Sequence, residues 1–449
     1  MKEPKLDDLM DEPSPFQNRD ARNQKQHNWD VLRRFGKAVG GFLTNSVGEI
    51  NNAVSDAGDR MNDIEDRYNQ QIAGNTDLKE IIDSRKPKGK PAYSTLGERL
   101  DNMYHGQKQD IELSSEVIDQ IVAKAGTINL EPNVLKIAHI TDLHFQRLID
   151  TQWYGEAVLD INHIQMFSLF SDRLNALVLN GDQVHGQEIG EDGPNLTYFE
   201  GNRSVLINRN SEAMNAAEYY GGDADVFPSI GNHDDGSVRW SNPLSLNELK
   251  NAYGVNSFDN YKDYVDQKVR IIALNVFDNT ETTLKRATNS AISQSQLNWL
   301  VNDALRVPDG LATIVFTHAP LEGFFGNTPY SDSWENINHD LVKGILTAFA
   351  NGVRFSDETA TGKIDADFTM QGKRDLIGIV SGHEHRDVDV PEIHNSIRGI
   401  ERTCSVGVGD GRVLGEFSEL ASDVIEIDTT KRHVKFNRIG YGSDLEFDY

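Results

Sequence analysis

Apolar residues follow two rhythms along the chain. Between Leu43 and Tyr68 they recur at alternating steps of four and three. Val47, Val54, Met61 and Tyr68 take one core position, and Leu43, Ile50, Ala57 and Ile64 the other. Two apolar positions per heptad make a stripe too narrow to cover a globular core. The pattern predicts a coiled-coil helix over 29–73 that packs against copies of itself. Gly48 and Gly58 each weaken that helix by about 1 kcal/mol relative to Ala, so it needs its partners to form. The seam fits no single rule for dimer or trimer. Residues 1–28 are polar, with Pro4, Pro13 and Pro15, and read as a flexible arm. Residues 74–132 read as a connector, interrupted by Lys86-Pro87-Lys88-Gly89-Lys90-Pro91.

From residue 133 the rhythm becomes α/β. Continuous apolar runs at 134–140, 175–180, 226–230, 270–276, 312–316 and 376–380 read as strands buried on both faces. Residues 161–174 are apolar at helical spacing. Ser293 and Gln296 form a capping-box pattern ahead of Leu297, Leu300, Val301 and Leu305. The runs 424–428 and 434–438 alternate around 429–432 and predict a hairpin. Residues 133–449 are therefore expected to form one domain.

Charge sharpens the division. Residues 1–130 carry 18 basic and 22 acidic side chains, and residues 131–449 carry 26 and 48, so most of the net charge of −26 lies in the second part. That acidity argues against tracking along nucleic acid, which needs a basic surface. The single cysteine, Cys404, excludes an intrachain disulfide and a cysteine-based zinc cluster. No apolar run approaches the ~20 residues of a membrane helix. The first thirty residues lack the apolar core of a secretory leader.

The chemistry sits where the strands end. Asp142 and His144 follow the first run, Gly181-Asp182 the second, and Gly231-Asn232-His233-Asp234 the third. Thr317-His318 and Gly382-His383-Glu384-His385 follow two more. One such residue at one strand end is ordinary. Five strands delivering Asp, Asn or His to the carboxyl edge, where open α/β sheets bind ligands, point to a shared site. In extended backbone, residues i and i+2 face the same way, so Asp142 with His144, and His383 with His385, can address one point. Mixed imidazole and carboxylate or amide donors suit Mn, Fe, Zn or Ni better than Mg or Ca.

Asp-x-His, Gly-Asp, Gly-Asn-His-Asp, a lone His after a strand and Gly-His-x-His, in this order over residues 134–440, resemble the calcineurin-like binuclear metallophosphoesterases. The resemblance implies a β-sandwich flanked by helices (αββα) and two divalent or transition metal ions sharing a carboxylate. By motif, Asp142, His144, Asp182 and His385 would hold one metal, and Asp182, Asn232, His318 and His383 the other. His233 would face the substrate, steadied by Asp234, while a hydroxide between the metals attacks phosphorus in line. The segments 183–225 and 321–374 open at the ligand-bearing edge and are expected to wall the pocket.

Residues 77–85 and 93–101 resemble a linker of tail and baseplate proteins in phages of Gram-positive hosts. Residues 438–444 resemble the ending of phosphoesterase domains in phage tail genes. These resemblances imply a virion (phage tail) location, other tail proteins as partners and a homo-oligomer through the coiled coil. They also suggest a phosphate-ester substrate such as teichoic acid of the host envelope. The alternatives are a host-binding tail component without turnover, and a nuclease or cyclic-nucleotide phosphodiesterase.

Overall fold

The computed structural model describes residues 113–145, 162–186, 203–238, 243–278, 285–324, 335–393, 397–405, 411–413 and 415–449. The chain divides into two compact units, 1–109 and 110–449, and every described residue lies in the second. The arm, the coiled coil and most of the connector fall outside the described residues.

Residues 113–132, read above as the end of the connector, contribute to the second unit's core. Ser114 accepts the Val117 N–H and starts helix α1 (Ser115–Ala125). Leu113, Val117, Ile121 and Ala125, four residues apart, are buried with Ile128 in the main apolar cluster. A stripe this short does not stand out by periodicity from the connector sequence around it.

Two six-stranded sheets form the centre. In the first, β1 (Leu135–Ile140), β2 (Ala176–Asn180) and β3 (Asp225–Ser229) run parallel. Antiparallel β14 (Ala421–Asp428), β15 (His433–Gly440) and β16 (Leu445–Asp448) extend it beyond β1. In the second, β5 (Val269–Ala273), β7 (Ala312–Phe316), β11 (Leu376–Ser381) and β13 (Ile397–Glu401) run parallel. Antiparallel β4 (Asn260–Tyr264) and β12 (Val388–Ile393) close its edges. The expected hairpin is β14–β15. Two small pairs lie outside these sheets: β6 (Asn289–Ala291) with β8 (Glu335–Ile337), and β9 (Arg354–Glu358) with β10 (Lys363–Asp367).

Alternation along each strand explains the layers. Leu135, Ile137, Val178 and Phe227 of the first sheet share a cluster with Ile271, Ala273, Ile314 and Phe316 of the second. Their neighbours Ala138, Ile140, Leu177, Leu179, Ile272 and Val315 point the other way, into the cluster that includes residues from the helices. Both faces of these strands are covered, as their unbroken apolar sequences require. The helices include α2 (Arg203–Tyr220), α3 (Leu246–Tyr253), α4 (Gln294–Trp299) and α5 (His339–Asn351). The capping box of α4 is present, Ser293 accepting from Gln296 N–H while Gln296 returns the bond. The stretch 161–174 is not one helix. It is a single α turn (Asn162–Gln165) followed by 3₁₀ turns, broken at Phe170, whose φ of −151° lies outside the helical range.

The strand ends are level. Ile140 pairs with Leu179, Asn180 with Ser229, and Phe316 with Val380. Asn180 ties the two sheets here, its Nδ2 donating to the Thr317 carbonyl at 3.0 Å. A buried ion cluster braces the same region. Asp423 of β14 takes two bonds from Arg402, at 2.9 and 2.8 Å, and two from Arg438, both at 3.1 Å. Arg402 directly follows β13, so the cluster crosses between the sheets. Burial opposes ionisation of Asp423, but the two guanidiniums outweigh it and hold the carboxyl below its usual range.

Replacing Asp423 with Ala would leave two buried guanidiniums sharing only the partly exposed Asp387 carboxylate, 2.8 Å from Arg438 and 3.4 Å from Arg402. The expected loss is about 3–5 kcal/mol in denaturant unfolding. A second expectation concerns His339. Its Nδ1 accepts the Glu322 N–H at 3.1 Å, so the ring hydrogen is on Nε2, 2.8 Å from Ser290 Oγ. Burial first, then Lys343, depress its pKa from 6.5 to about 3. The fold therefore holds His339 neutral while the unfolded chain protonates it. Its contribution is complete above pH 6.5 and is lost as pH falls toward 3. In metal-free protein, His339→Gln should flatten the dependence of stability on pH below 6.5.

Candidate active site

Three of the five strand ends turn sharply to present their side chains. Asp142, His144, Asp182, His383 and His385 all have positive φ, between 50° and 76°. Left-handed backbone at a non-glycine residue costs roughly 1–2 kcal/mol, so five together mark a constrained site. Glycines make the close approach possible. A Cβ on Gly231 would lie 2.1 Å from Asp182 Oδ1 and 2.6 Å from His318 Nε2, and one on Gly382 would lie 2.4 Å from Asp142 Oδ2.

Each aspartate divides its two oxygens between tasks. Asp142 Oδ2 accepts from Thr141 Oγ1 at 2.6 Å and from the His383 N–H at 2.8 Å. Its Oδ1 is left 3.2 Å from His385 Nε2 and 3.9 Å from both His144 Nε2 and His318 Nε2. Asp182 Oδ1 accepts the His233 N–H at 2.8 Å. Its Oδ2 lies 3.3 Å from His318 Nε2, 3.8 Å from His144 Nε2 and 4.0 Å from His233 Nε2. His318 Nδ1 donates to the Asn180 carbonyl at 2.6 Å, which leaves Nε2 as the inward-facing atom.

Asp142, His144 and His385 make one group whose donor atoms lie within 4.8 Å of one another. Asp182, His318 and His383 make a second. His144 Nε2 and His385 Nε2 stand 3.2 Å apart. Asn232 is buried, and its Oδ1 has no hydrogen-bond partner among the described residues. Two ring nitrogens this close, with the Asp142 oxygen 3.2 Å from one of them, fit a shared cation. The electrostatics agree. Burial opposes charge on both aspartates, but His318 outweighs it most strongly and, with His385 beside Asp142 and His233 beside Asp182, holds them low. Burial would lower His318, yet Asp182 and Asp142 carry it up to about 9. Burial likewise opposes charge on His385, while Cys404 and Asp142 hold it well above its usual value. In each group one imidazole is driven toward a positive charge. The other, His144 or His383, is driven toward neutrality, chiefly by burial. Bound metal would satisfy that demand with the N and O donors present.

His233 lies at this centre, its ring 4.6 Å from that of His144. Its Nδ1 donates to the His185 carbonyl at 2.8 Å. Asp234 does not steady this ring, contrary to the sequence expectation. Its carboxylate accepts the backbone N–H groups of Asp182, Val184 and Gly231, at 3.1, 3.1 and 2.7 Å. The side chain's reach is spent on fastening the 182–184 turn to the 231 turn. Burial and Asp182 push its pKa up to about 7, against those donors.

Two neighbours escaped sequence reading. Asn180 is not among the expected site residues, yet it fixes His318 and joins three strand ends. His185 touches both His144 and His233. Its position three residues after Asp182 was the available signal. The segments expected to wall the pocket are described only in part. Residues 187–202 and 325–334 lie outside the described set. A cavity of about 460 Å³ beside His385 is lined by Arg386, Asp387, Arg402, Thr403 and Tyr441, among others. Arg386 there is paired with Glu384 and Glu401.

A family model described as calcineurin-like phosphoesterase matches residues 135–387, more than half of the chain. The chain belongs to the calcineurin-like phosphoesterase family. The family assignment accounts for a metal-dependent hydrolase with a mixed α/β fold. Among solved structures, a predicted phosphoesterase from Streptococcus pneumoniae TIGR4 is 10% identical, with a TM-score of 0.27, covering 70% of this chain and 98% of its own. A phosphopantetheinyl hydrolase from Mycobacterium tuberculosis is 13% identical, with a TM-score of 0.30, covering 60% and 89%. No curated protein matches the chain significantly. No described helix is long and apolar enough to cross a membrane.

Gly231→Ala tests the packing of this phosphoesterase site. The added methyl would overlap Asp182 Oδ1, the Asp182 backbone nitrogen and His318 Nε2, so these groups must shift. Mn²⁺ affinity, measured by calorimetry, should fall by at least about 10-fold. Unchanged affinity would mean the two side chains do not act together.

Proposed function

We propose that this chain is a binuclear metal-dependent phosphoesterase acting on a phosphodiester. The observation that carries the reading is the position of Asp182 Oδ2, 3.3 Å from His318 of one group and 3.8 Å from His144 of the other. One carboxylate oxygen can thus serve both groups. Asp142, His144, Asp182 and His385 would hold one ion, and Asp182, Asn232, His318 and His383 the other. Bound there, the ions would supply an acidified water and neutralise charge on the phosphate.

The protein's own groups do the rest. The Asp142 and Asp182 oxygens tied to backbone N–H groups keep their partners aimed inward. His233, with Nδ1–H committed to the His185 carbonyl, offers Nε2 to the substrate. As an imidazolium it gives the Nε2 proton to the departing oxygen. A diester is favoured over a monoester because it carries one negative charge rather than two into a strongly acidic domain. The cavity beside His385 has room for the remainder of such a substrate.

The linker resemblance at 77–101 and the heptad seam support mounting this activity on a phage or prophage tail, as a homo-oligomer among other tail proteins. On that reading the target is a teichoic-acid-type polymer of the host envelope. Both segments lie outside the described residues.

The test is a substrate panel with Mn²⁺: bis-p-nitrophenyl phosphate, a monoester, a cyclic nucleotide, DNA and purified wall or lipoteichoic acid. Diester hydrolysis is expected, with release of product from the wall polymer. Exhaustive EDTA dialysis should abolish it, and undiminished turnover afterwards would overturn the binuclear reading. Release of nothing from wall polymer, alongside diester cleavage, would overturn that target alone. His233→Ala should lower kcat by about 10²–10⁴-fold while the bound metal, measured by elemental analysis, stays the same.

A further inference from the structure

We propose that His185 is a positioning residue that sets His144 and His233 together. The proposal rests on the metallophosphoesterase reading above. His185 is buried, and its Nδ1 lies 3.4 Å from His144 Nδ1. His144 turns its other nitrogen, Nε2, toward Asp142, Asp182 and His385. An imidazole that offers Nε2 to a cation carries its hydrogen on Nδ1, and that hydrogen needs an acceptor. His185 Nδ1 is placed to accept it. The same residue's backbone carbonyl accepts from His233 Nδ1, and the two rings stack at 5.5 Å with planes 23° apart.

The backbone here is fixed from several sides. His185 N–H donates to the Phe145 carbonyl, and Val184 N–H to Asp234. Gly186 allows the approach to His233, since a Cβ there would lie 2.2 Å from the His233 carbonyl oxygen. A neutral imidazole also suits this position electrostatically. A carboxylate in its place would join the buried carboxyl groups of Asp142, Asp182 and Asp234. One residue therefore fixes the tautomer of a metal ligand by its side chain and the aim of the proton donor by its main chain.

The experiment uses the full chain and MnCl₂ as the probe. His185→Phe keeps the ring and the main-chain carbonyl but has no acceptor. His185→Asn places Oδ1 where Nδ1 stood. Calorimetry should show Mn²⁺ affinity reduced about 10–100-fold in the Phe variant and restored to within about threefold of wild type in the Asn variant. Wild-type affinity in the Phe variant, or equal losses in both, would overturn the proposal. Absence of Mn²⁺ binding by the wild type would instead overturn the metal-centre reading, and this inference with it. A readout without any substitution is ¹⁵N NMR of the Zn²⁺-loaded wild type. His144 should carry hydrogen on Nδ1, and a bare Nδ1 would overturn the proposal even if the Phe variant failed to fold.

Discussion

The structure depends on holding like-natured atoms together. Carboxylate oxygens and imidazole nitrogens converge at the carboxyl edge of two sheets, in a place largely closed to water. Left alone such atoms repel one another or recruit protons. The fold resists this by giving each residue a second attachment that faces away from the centre. Asp142 and Asp182 each commit one oxygen to hydrogen-bond donors, including a backbone N–H. His318 commits Nδ1 to a carbonyl, and Asp234 spends its whole carboxylate on main-chain N–H groups. Directional bonds at the rear fix the atoms at the front.

Those attachments require the strand ends to stay level, which explains the sandwich around them. Strands buried on both faces cannot slide by one residue without turning apolar side chains out of their layers. Asn180 and the Asp423 cluster then lock one sheet to the other near the site. The sheets thus supply register, and the turns supply direction.

Much of this was legible in the sequence because strands and ligands are written locally. An apolar run followed by Asp or His states both where a strand ends and what it carries. The motif residues of five strands come together as that pattern predicts. What escaped was non-local. Asp234 sits next to His233 in sequence, so partnership was the natural expectation, but the shorter reach is to the amides around Asp182. His185 and Asn180 act on residues about 41 and 138 positions away, a relation that no local pattern expresses. The wall beside His385 draws on Tyr441 and Arg402, remote in sequence from the motifs. The apolar stripe of α1 was too short to be separated from its surroundings by periodicity.

The left-handed turns have an evolutionary consequence. Asp142, His144, Asp182, His383 and His385 hold a backbone shape that glycine adopts without cost. At these positions stability and chemistry pull in opposite directions. A descendant released from the need to bind metal would be free to relax there, and glycine or asparagine is what it would gather. Such a chain could keep the sandwich, even become harder to unfold, and be silent as a catalyst. The loss of activity in this lineage would then read as a gain in robustness.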